Sequence, residues 1–244
     1  MNEEKKLNGE IALSSPVLRW LDNFWYHYKW PVIGTCVALV ILLVCILQTC
    51  STKKEDTMIV YAGPTYLLSS EAEQLSQAVS SIMPYDGDKN GEKLAQISTY
   101  EIYSEEQIRA FEAQYSGQNI DRNRNKSEYQ TYVTYQQTGQ SCIYLLDPWL
   151  YQSIDKAYLC PLTESVGALP EGALADGYGV RLGDTALYRE YGAVRRLPED
   201  TVVCLMNPFF MTRSWKEDAY QVEKDIFRAI VTCDAAEEES ESGT

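Results

Sequence analysis

Hydrophobic and polar positions are distributed along this chain in three patterns, and each predicts a different element. Residues 31–50, PVIGTCVALVILLVCILQTC, form an uncharged run of twenty positions. At about 1.5 Å per helical residue it reaches about 30 Å, the thickness of a bilayer's hydrocarbon core, so it predicts a transmembrane helix. Trp20, Trp25, Tyr26, Tyr28 and Trp30 crowd its N-terminal edge, where amphipathic rings favour the headgroup level. Ahead of it, Ser15-Pro16 offers a capping hydroxyl and a proline at the first helical position. Val17, Leu21, Phe24, Trp25 and Tyr28 then recur at helical spacing. They predict an interfacial amphipathic helix, within a cytoplasmic tail of residues 1–30, that turns into the anchor. A cleaved signal peptide fits less well, since its apolar core is shorter and starts nearer the N-terminus. A lipoprotein reading would need Leu47-Gln48-Thr49-Cys50 as its box, with Thr where a small residue should precede the cysteine.

After a linker at 51–56, the pattern changes to short apolar runs alternating with amphipathic stretches over residues 57–233. Thr57 to Tyr61 reads as a buried strand closed by Ala62-Gly63-Pro64. Ser70-x-x-Glu73 reads as a capping box opening a helix through Ala72, Leu75, Val79 and Ile82, stopped by Pro84. Leu94 to Tyr103 alternates as a second strand, and Ser104-x-x-Gln107 caps a helix carrying Ile108, Phe111 and Tyr115. Residues 118–126 read as a loop, and Ser127-x-x-Gln130 as the start of a helix ending at Gly139. Residues 141–146 form the clearest buried strand, and Asp147-Pro148 caps a short helix through Ile154. Tyr178–Leu182 and Thr185–Tyr191 read as a hairpin or two loose strands around Gly183-Asp184, and residues 201–206 as another buried strand. Ser214-x-x-Glu217 opens a last helix with Ala219, Val222, Ile226 and Ile230 on one face. Residues 234–244, with four glutamates, read as a disordered acidic tail. The alternation predicts an α/β domain, a mainly parallel sheet flanked by helices and preceded by a single transmembrane helix.

Charge and composition narrow the function. The net charge is −14, and the first fifty residues balance to zero, so the globular part carries all of it. Such a surface repels phosphate backbones and argues against nucleic acid as a partner. Lys5, Lys6, Arg19 and Lys29 before the apolar run outnumber Lys53 and Lys54 after it. That bias favours a cytoplasmic N-terminus and an extracellular C-terminal domain at the cell membrane. The only histidine is His27, so the domain has no histidine for Ser-His-Asp or Cys-His catalysis or for a zinc site. With no glycine-rich nucleotide motif either, the expectation is a protein that is not an enzyme and uses no cofactor. Cys142, Cys160, Cys204 and Cys233 allow three pairings if oxidised; their wide spacing and the apolar runs around Cys142 and Cys204 favour free, buried thiols. Asp86, Asp88, Asn90 and Gly91 match the first half of a calcium loop. The second half fails, with Ile97 where a bidentate Glu belongs, and a solvated turn explains the same residues.

In open α/β sheets, ligands gather beyond the C-terminal ends of the strands. Here that edge would bring together Gly63, Pro64 and Thr65 with Asp147, Pro148 and Trp149, the expected ligand-binding residues.

Ser141-Cys-Ile-Tyr-Leu-Leu-Asp147, with a helix ending at Gly139 before it and Leu159-Cys-Pro-Leu162 after it, resembles a stretch of bacterial extracellular solute-binding proteins. In that type II periplasmic-binding fold a strand of the form D-x-Y-L-L follows a helix and glycine; Cys142 replaces the acidic residue. Residues 57–103 look like the fold's first lobe, and Phe24-Trp-Tyr-His-Tyr-Lys-Trp30 resembles the anchors of clostridial envelope proteins. The chain has room for one lobe only. The resemblance implies a membrane-anchored binding module for a small solute, sugar or peptide. The competing expectation is an envelope scaffold working through contacts with another envelope protein; an enzyme built on a carboxylate pair comes third.

Overall fold

The computed structural model describes residues 16–51, 55–84, 86–87, 89–115, 117–208 and 214–232. The expectations for residues 1–14, Asp88, Cys233 and the acidic tail lie outside them. Among the described residues, one unit of the chain holds a single helix, α1 (Pro16–Ser51). It runs as one helical segment through Pro31, where the sequence suggested an interfacial helix followed by the anchor. Proline removes one backbone N–H from the helical ladder and crowds the carbonyl one turn before it. Thr35 Oγ1 donates to the Pro31 carbonyl at 2.9 Å in the turn that follows. Within α1, Phe24–Ile46 is long and apolar enough to cross a membrane, with a mean hydropathy of 2.3 and none of it buried in protein. Trp20, Phe24 and Tyr28 stack at successive four-residue steps, with centroids 5.5 and 5.1 Å apart.

The second unit is a five-stranded sheet between two helical layers. Its elements in order are β1 (Thr57–Gly63), α2 (Ser69–Ile82), β2 (Ala95–Glu101), α3 (Glu105–Gln114), α4 (Arg122–Thr138) and β3 (Ile143–Leu146). They are followed by α5 (Pro148–Ser153), α6 (Leu162–Ser165), β4 (Gly179–Arg181), α7 (Ala186–Glu190), β5 (Val202–Leu205) and α8 (Glu217–Thr232). The strand order is β2-β1-β3-β5-β4. β1 pairs in parallel with β2 and β3, while β5 runs antiparallel to both β3 and β4, so four strands point one way and one points back. The sheet is mixed, mainly rather than purely parallel.

Alternation along each strand divides the core in two. On one face Ile59, Tyr61, Ile143, Leu145, Val203 and Leu205 pack with Leu75 and Val79 of α2 and Ile226, Phe227 and Ile230 of α8. On the other, Val60, Ala62, Tyr144, Leu146 and Cys204 pack with Tyr132 of α4 and Leu150 and Tyr151 of α5. Cys142, Cys160 and Cys204 are buried, and burial pushes the Cys204 thiol up to about 12.

Several expected elements are displaced. Helix α2 begins before Ser70, with Leu68 as its first flanking residue and the Glu71 carboxylate accepting the Leu68 N–H at 3.0 Å. Helix α4 starts at Arg122 instead of Ser127, because Asp121 Oδ1 accepts the N–H groups of Asn123 and Arg124. Thr185–Tyr191 is no strand: Thr185 Oγ1 takes the Tyr188 N–H and caps α7. The Ser104 box is present, with Gln107 N–H donating to Ser104 Oγ and Ser104 N–H to Gln107 Oε1. Gly139 closes α4 in the left-handed conformation, φ 69°.

Candidate functional site

The expected site lies where β1 and β3 end, and the structure brings most of it together. Gly63 ends β1 beside Asp147, whose N–H donates to Ala62 O at 2.8 Å. A side chain at Gly63 would sit 3.4 Å from Asp147 Cβ and 2.7 Å from Tyr61 Oη. Thr65 N–H donates to Tyr61 Oη at 3.1 Å, so the buried Tyr61 ring closes over the end of its own strand. Asp147 is 8% exposed, and its oxygens are engaged: Oδ1 accepts the Trp149 N–H at 3.1 Å and Oδ2 accepts Gln107 Nε2 at 2.8 Å. Pro148 occupies the first turn of α5. Trp149 stacks on Tyr129 of α4, 6.2 Å between centroids, and its buried Nε1 has no partner among the described residues. The Asp147 carboxylate, the Tyr61 hydroxyl and the Thr65 N–H are all engaged within the fold.

Burial pushes the Asp147 carboxyl above its usual value, and the nearby Asp200 adds to the rise. Burial and both acids raise Tyr61 as well. With its folded pKa raised, Asp147 costs stability as pH climbs from the ordinary carboxylate value through the raised one. Asp147→Asn keeps an oxygen for the cap and should flatten that stretch of the stability-against-pH curve. Asp147→Ala should lose about 1–2 kcal/mol in urea unfolding, the usual cost of a helix N-cap. An unchanged midpoint for Asp147→Ala would mean the carboxylate is free for another task.

A cleft of about 470 Å³ opens at the opposite end of the sheet, where β1 begins. Glu55, Asp56, Thr57 and Met58 form one wall, and Trp215, Lys216, Asp218, Val222 and Glu223 form the other. Glu223 lies at its base, 3% exposed, and accepts a hydrogen bond from Thr57 Oγ1 at 2.9 Å. Trp215 is held by its Nε1, which donates to Gly139 O at 3.0 Å. Asp56 Oδ2 accepts the Leu94 N–H at 2.8 Å and ties the wall to β2. The lining holds four carboxylates and one lysine beside an indole, which suits a positively charged or amine-bearing group. Sequence reasoning missed this place. Its one advance signal is Glu223, a carboxylate on the apolar stripe Ala219, Ile226 and Ile230 of α8.

The half calcium loop is a turn stitched from within. The Gly91 N–H donates to Asp86 Oδ2 at 2.6 Å and the Glu92 N–H to Asn90 Oδ1 at 2.8 Å, with Lys89 and Gly91 at positive φ. Among the described residues no cluster of three His, Cys, Asp or Glu could hold a metal ion. Elsewhere Tyr151 Oη donates to the Asp176 carboxylate at 2.9 Å. Lys156 Nζ lies 3.0 Å from that carboxylate and 3.5 Å over the Tyr151 ring. Burial works against the Asp176 charge, but the Tyr178 N–H, Lys156 and Tyr151 together hold its carboxyl below the usual value. This nest joins the segment 155–178 to α5.

Comparison of the chain with protein-family models, with curated proteins and with solved structures gives no match.

Proposed function

We propose that this chain is a single-pass, membrane-anchored binding module without catalytic activity. In this reading the domain is held outside the cell and takes a small amine-bearing solute or basic peptide in the cleft between β1 and α8. The observation that carries the reading is the cleft itself, a recess of about 470 Å³ with an indole on its wall and carboxylates around it. A focused negative potential in such a recess raises the local concentration of cations. Phe24–Ile46 supplies the tether, and the excess of basic residues before it favours the outside placement of the domain. The resemblance of residues 141–162 to solute-binding proteins supports the same kind of role, with the ligand at the other end of the sheet from the place that family would suggest.

The test is a thermal-shift screen of the detergent-solubilised full chain with amines, basic peptides, sugars and acidic amino acids. A ligand that binds the native state raises the melting temperature as its concentration rises. Amines or basic peptides should give that shift, and the double substitution Glu55→Lys with Asp218→Lys, both on exposed residues at the cleft mouth, should abolish it. Trp149→Ala should leave it intact. A response to sugars alone, or one lost with Trp149→Ala, would move the site back to the far end of the sheet.

A scaffold acting through protein contacts is the second reading, favoured by one observation: the strand ends at Gly63 and Asp147 are filled by Tyr61 and Gln107. Silence from every ligand class, with a partner recovered by crosslinking in membranes, would decide for it.

A further inference from the structure

The sheet has one closed edge and one open edge. At the closed edge, residues 172–174 lie along β4. Leu174 N–H donates to Gly179 O at 2.8 Å, Arg181 N–H donates to Gly172 O at 3.1 Å, and Ala173 bridges Val180. At the other edge, β2 pairs with β1 alone among the described residues. Ile102 N–H donates to Gly63 O at 2.9 Å, which fixes the alternation of that parallel ladder. Gln96, Ser98 and Tyr100 turn their backbone groups toward β1, and Ala95, Ile97, Thr99 and Glu101 turn theirs outward.

Both ends of the outward row are sealed by side chains. Ala95 N–H donates to Ser80 Oγ at 2.9 Å, and its carbonyl accepts from Ser76 Oγ. Past the other end, Asn125 takes the Tyr103 N–H at 2.8 Å and donates to the Tyr103 carbonyl at 3.0 Å. Between them, the backbone groups of Ile97, Thr99 and Glu101 have no hydrogen-bonding partner among the described residues. Thr99 is exposed, and β2 contains no proline or lysine, two of the devices that usually blunt a sheet edge. A groove of about 210 Å³, lined by Ala72, Ser76 and Ile97 among others, runs beside this edge.

We propose that the β2 edge pairs with the β2 edge of a second copy of this chain, antiparallel and with Thr99 opposite Thr99. The open window is symmetric about Thr99, so this register sets Ile97 against Glu101 on both sides of the two-fold. Each of the three pairs then exchanges both backbone hydrogen bonds. Centring on Ser98 would spend Glu101 on the sealed Ala95; centring on Tyr100 would spend Ile97 on the sealed Tyr103. Charge agrees with the same register. Glu101 faces Ile97 and not its own copy, and its carboxylate is already held by Arg124 at 3.1 Å. A flexible peptide would have to be ordered to gain three residues of ladder, whereas a second copy brings a strand already fixed by β1. Because β4 is covered, pairing ends at a closed dimer instead of continuing as a fibre.

The experiment measures the mass of the full chain in detergent by light scattering across a dilution series. The parent chain should be a dimer. Thr99→Lys and Thr99→Glu each place like charges opposite one another and should raise the dimer dissociation constant roughly fivefold, at an unchanged melting temperature. Mixing the two variants should restore the parent affinity. Thr99→Pro removes an N–H that β1 does not use, so it should leave a folded monomer. A monomeric parent chain, a dimer that survives Thr99→Pro, or two charge variants that fail to rescue each other would overturn the proposal. So would a monomer whose β2 edge takes up an extended peptide.

Discussion

Phe227→Ala should lower the melting temperature of the full chain by about 10 °C. Phe227 is fully buried in α8, on the face of the sheet where Ile59, Leu145 and Val203 pack with Leu75 and Val79 of α2. Residues of α2, α6 and α7 all approach α8, so the ring lies where several elements converge. Few of them can follow a collapsing side chain without leaving another partner. Deleting a buried phenylalanine in such surroundings costs about 4 kcal/mol, the lost transfer energy plus the cavity left behind. For a domain of this size each kcal/mol is worth about 2–4 °C. Phe227→Leu keeps most of the volume and should lose less than half as much. Tyr66→Ala, at a side chain 60% exposed, should change the midpoint by no more than about 1 °C. The measurement is thermal unfolding in detergent followed by far-ultraviolet circular dichroism. Equal midpoints for Phe227→Ala and the parent would mean that α8 does not close the core.

The same helix shows what the sequence could and could not disclose. Val222, Ile226 and Ile230 recur at helical spacing, and the apolar face they mark is the one α8 buries. Several local signals of that kind worked: the Ser104 box, the left-handed Gly139 and the Asp147 cap all stand where the residues suggested. Others were displaced, by a rival cap a few residues away at Leu68 and Thr185, or where distant partners also hold the segment. Residues 118–126 look like a polar loop, yet Arg122 is paired with Glu112, Arg124 with Glu101, and Asn125 grips Tyr103. Those contacts hold the first turn of α4 on an Asp121 cap whose own neighbourhood reads as coil. Strand direction was likewise out of reach. Residues 202–205 are buried on both faces, so their side chains carry no alternation, and nothing local distinguishes an antiparallel β5 from a parallel one.

Site reasoning met a different limit. Gly63 and Asp147 lie side by side at the C-terminal strand ends, but adjacency is not vacancy. Tyr61 lies two residues before Gly63 and folds back to the Thr65 N–H, and Gln107 arrives from α3 to occupy the Asp147 carboxylate. Neither event has a sequence signature. The cleft at the start of β1 depends on residues more than 150 positions apart, Thr57 and Glu223, meeting through a hydrogen bond. Such a site becomes visible only once the register of β1 and the packing of α8 are both known.

Two arginines at the middle of the apolar run should detach the protein from membranes. Residues 31–50 include about ten Leu, Ile and Val side chains, each worth about −0.5 kcal/mol at the centre of a membrane helix, for a driving force of about 5 kcal/mol. Arginine at that depth costs about 3 kcal/mol, so Val37→Arg with Val40→Arg costs about 6 kcal/mol and removes two favourable residues besides. The balance changes sign. Both positions lie well inside Phe24–Ile46, too far from either end for a long side chain to reach the interface easily. After a carbonate wash the parent chain should sediment with membranes at its full mass, while the double variant should appear in the aqueous fraction with an unchanged melting temperature. The second readout matters because Val37 and Val40 are not among the core residues from β1 onward. A parent chain released by carbonate would remove the tether from the proposed function. One recovered about fifty residues short would show that the same apolar helix serves as a cleaved signal.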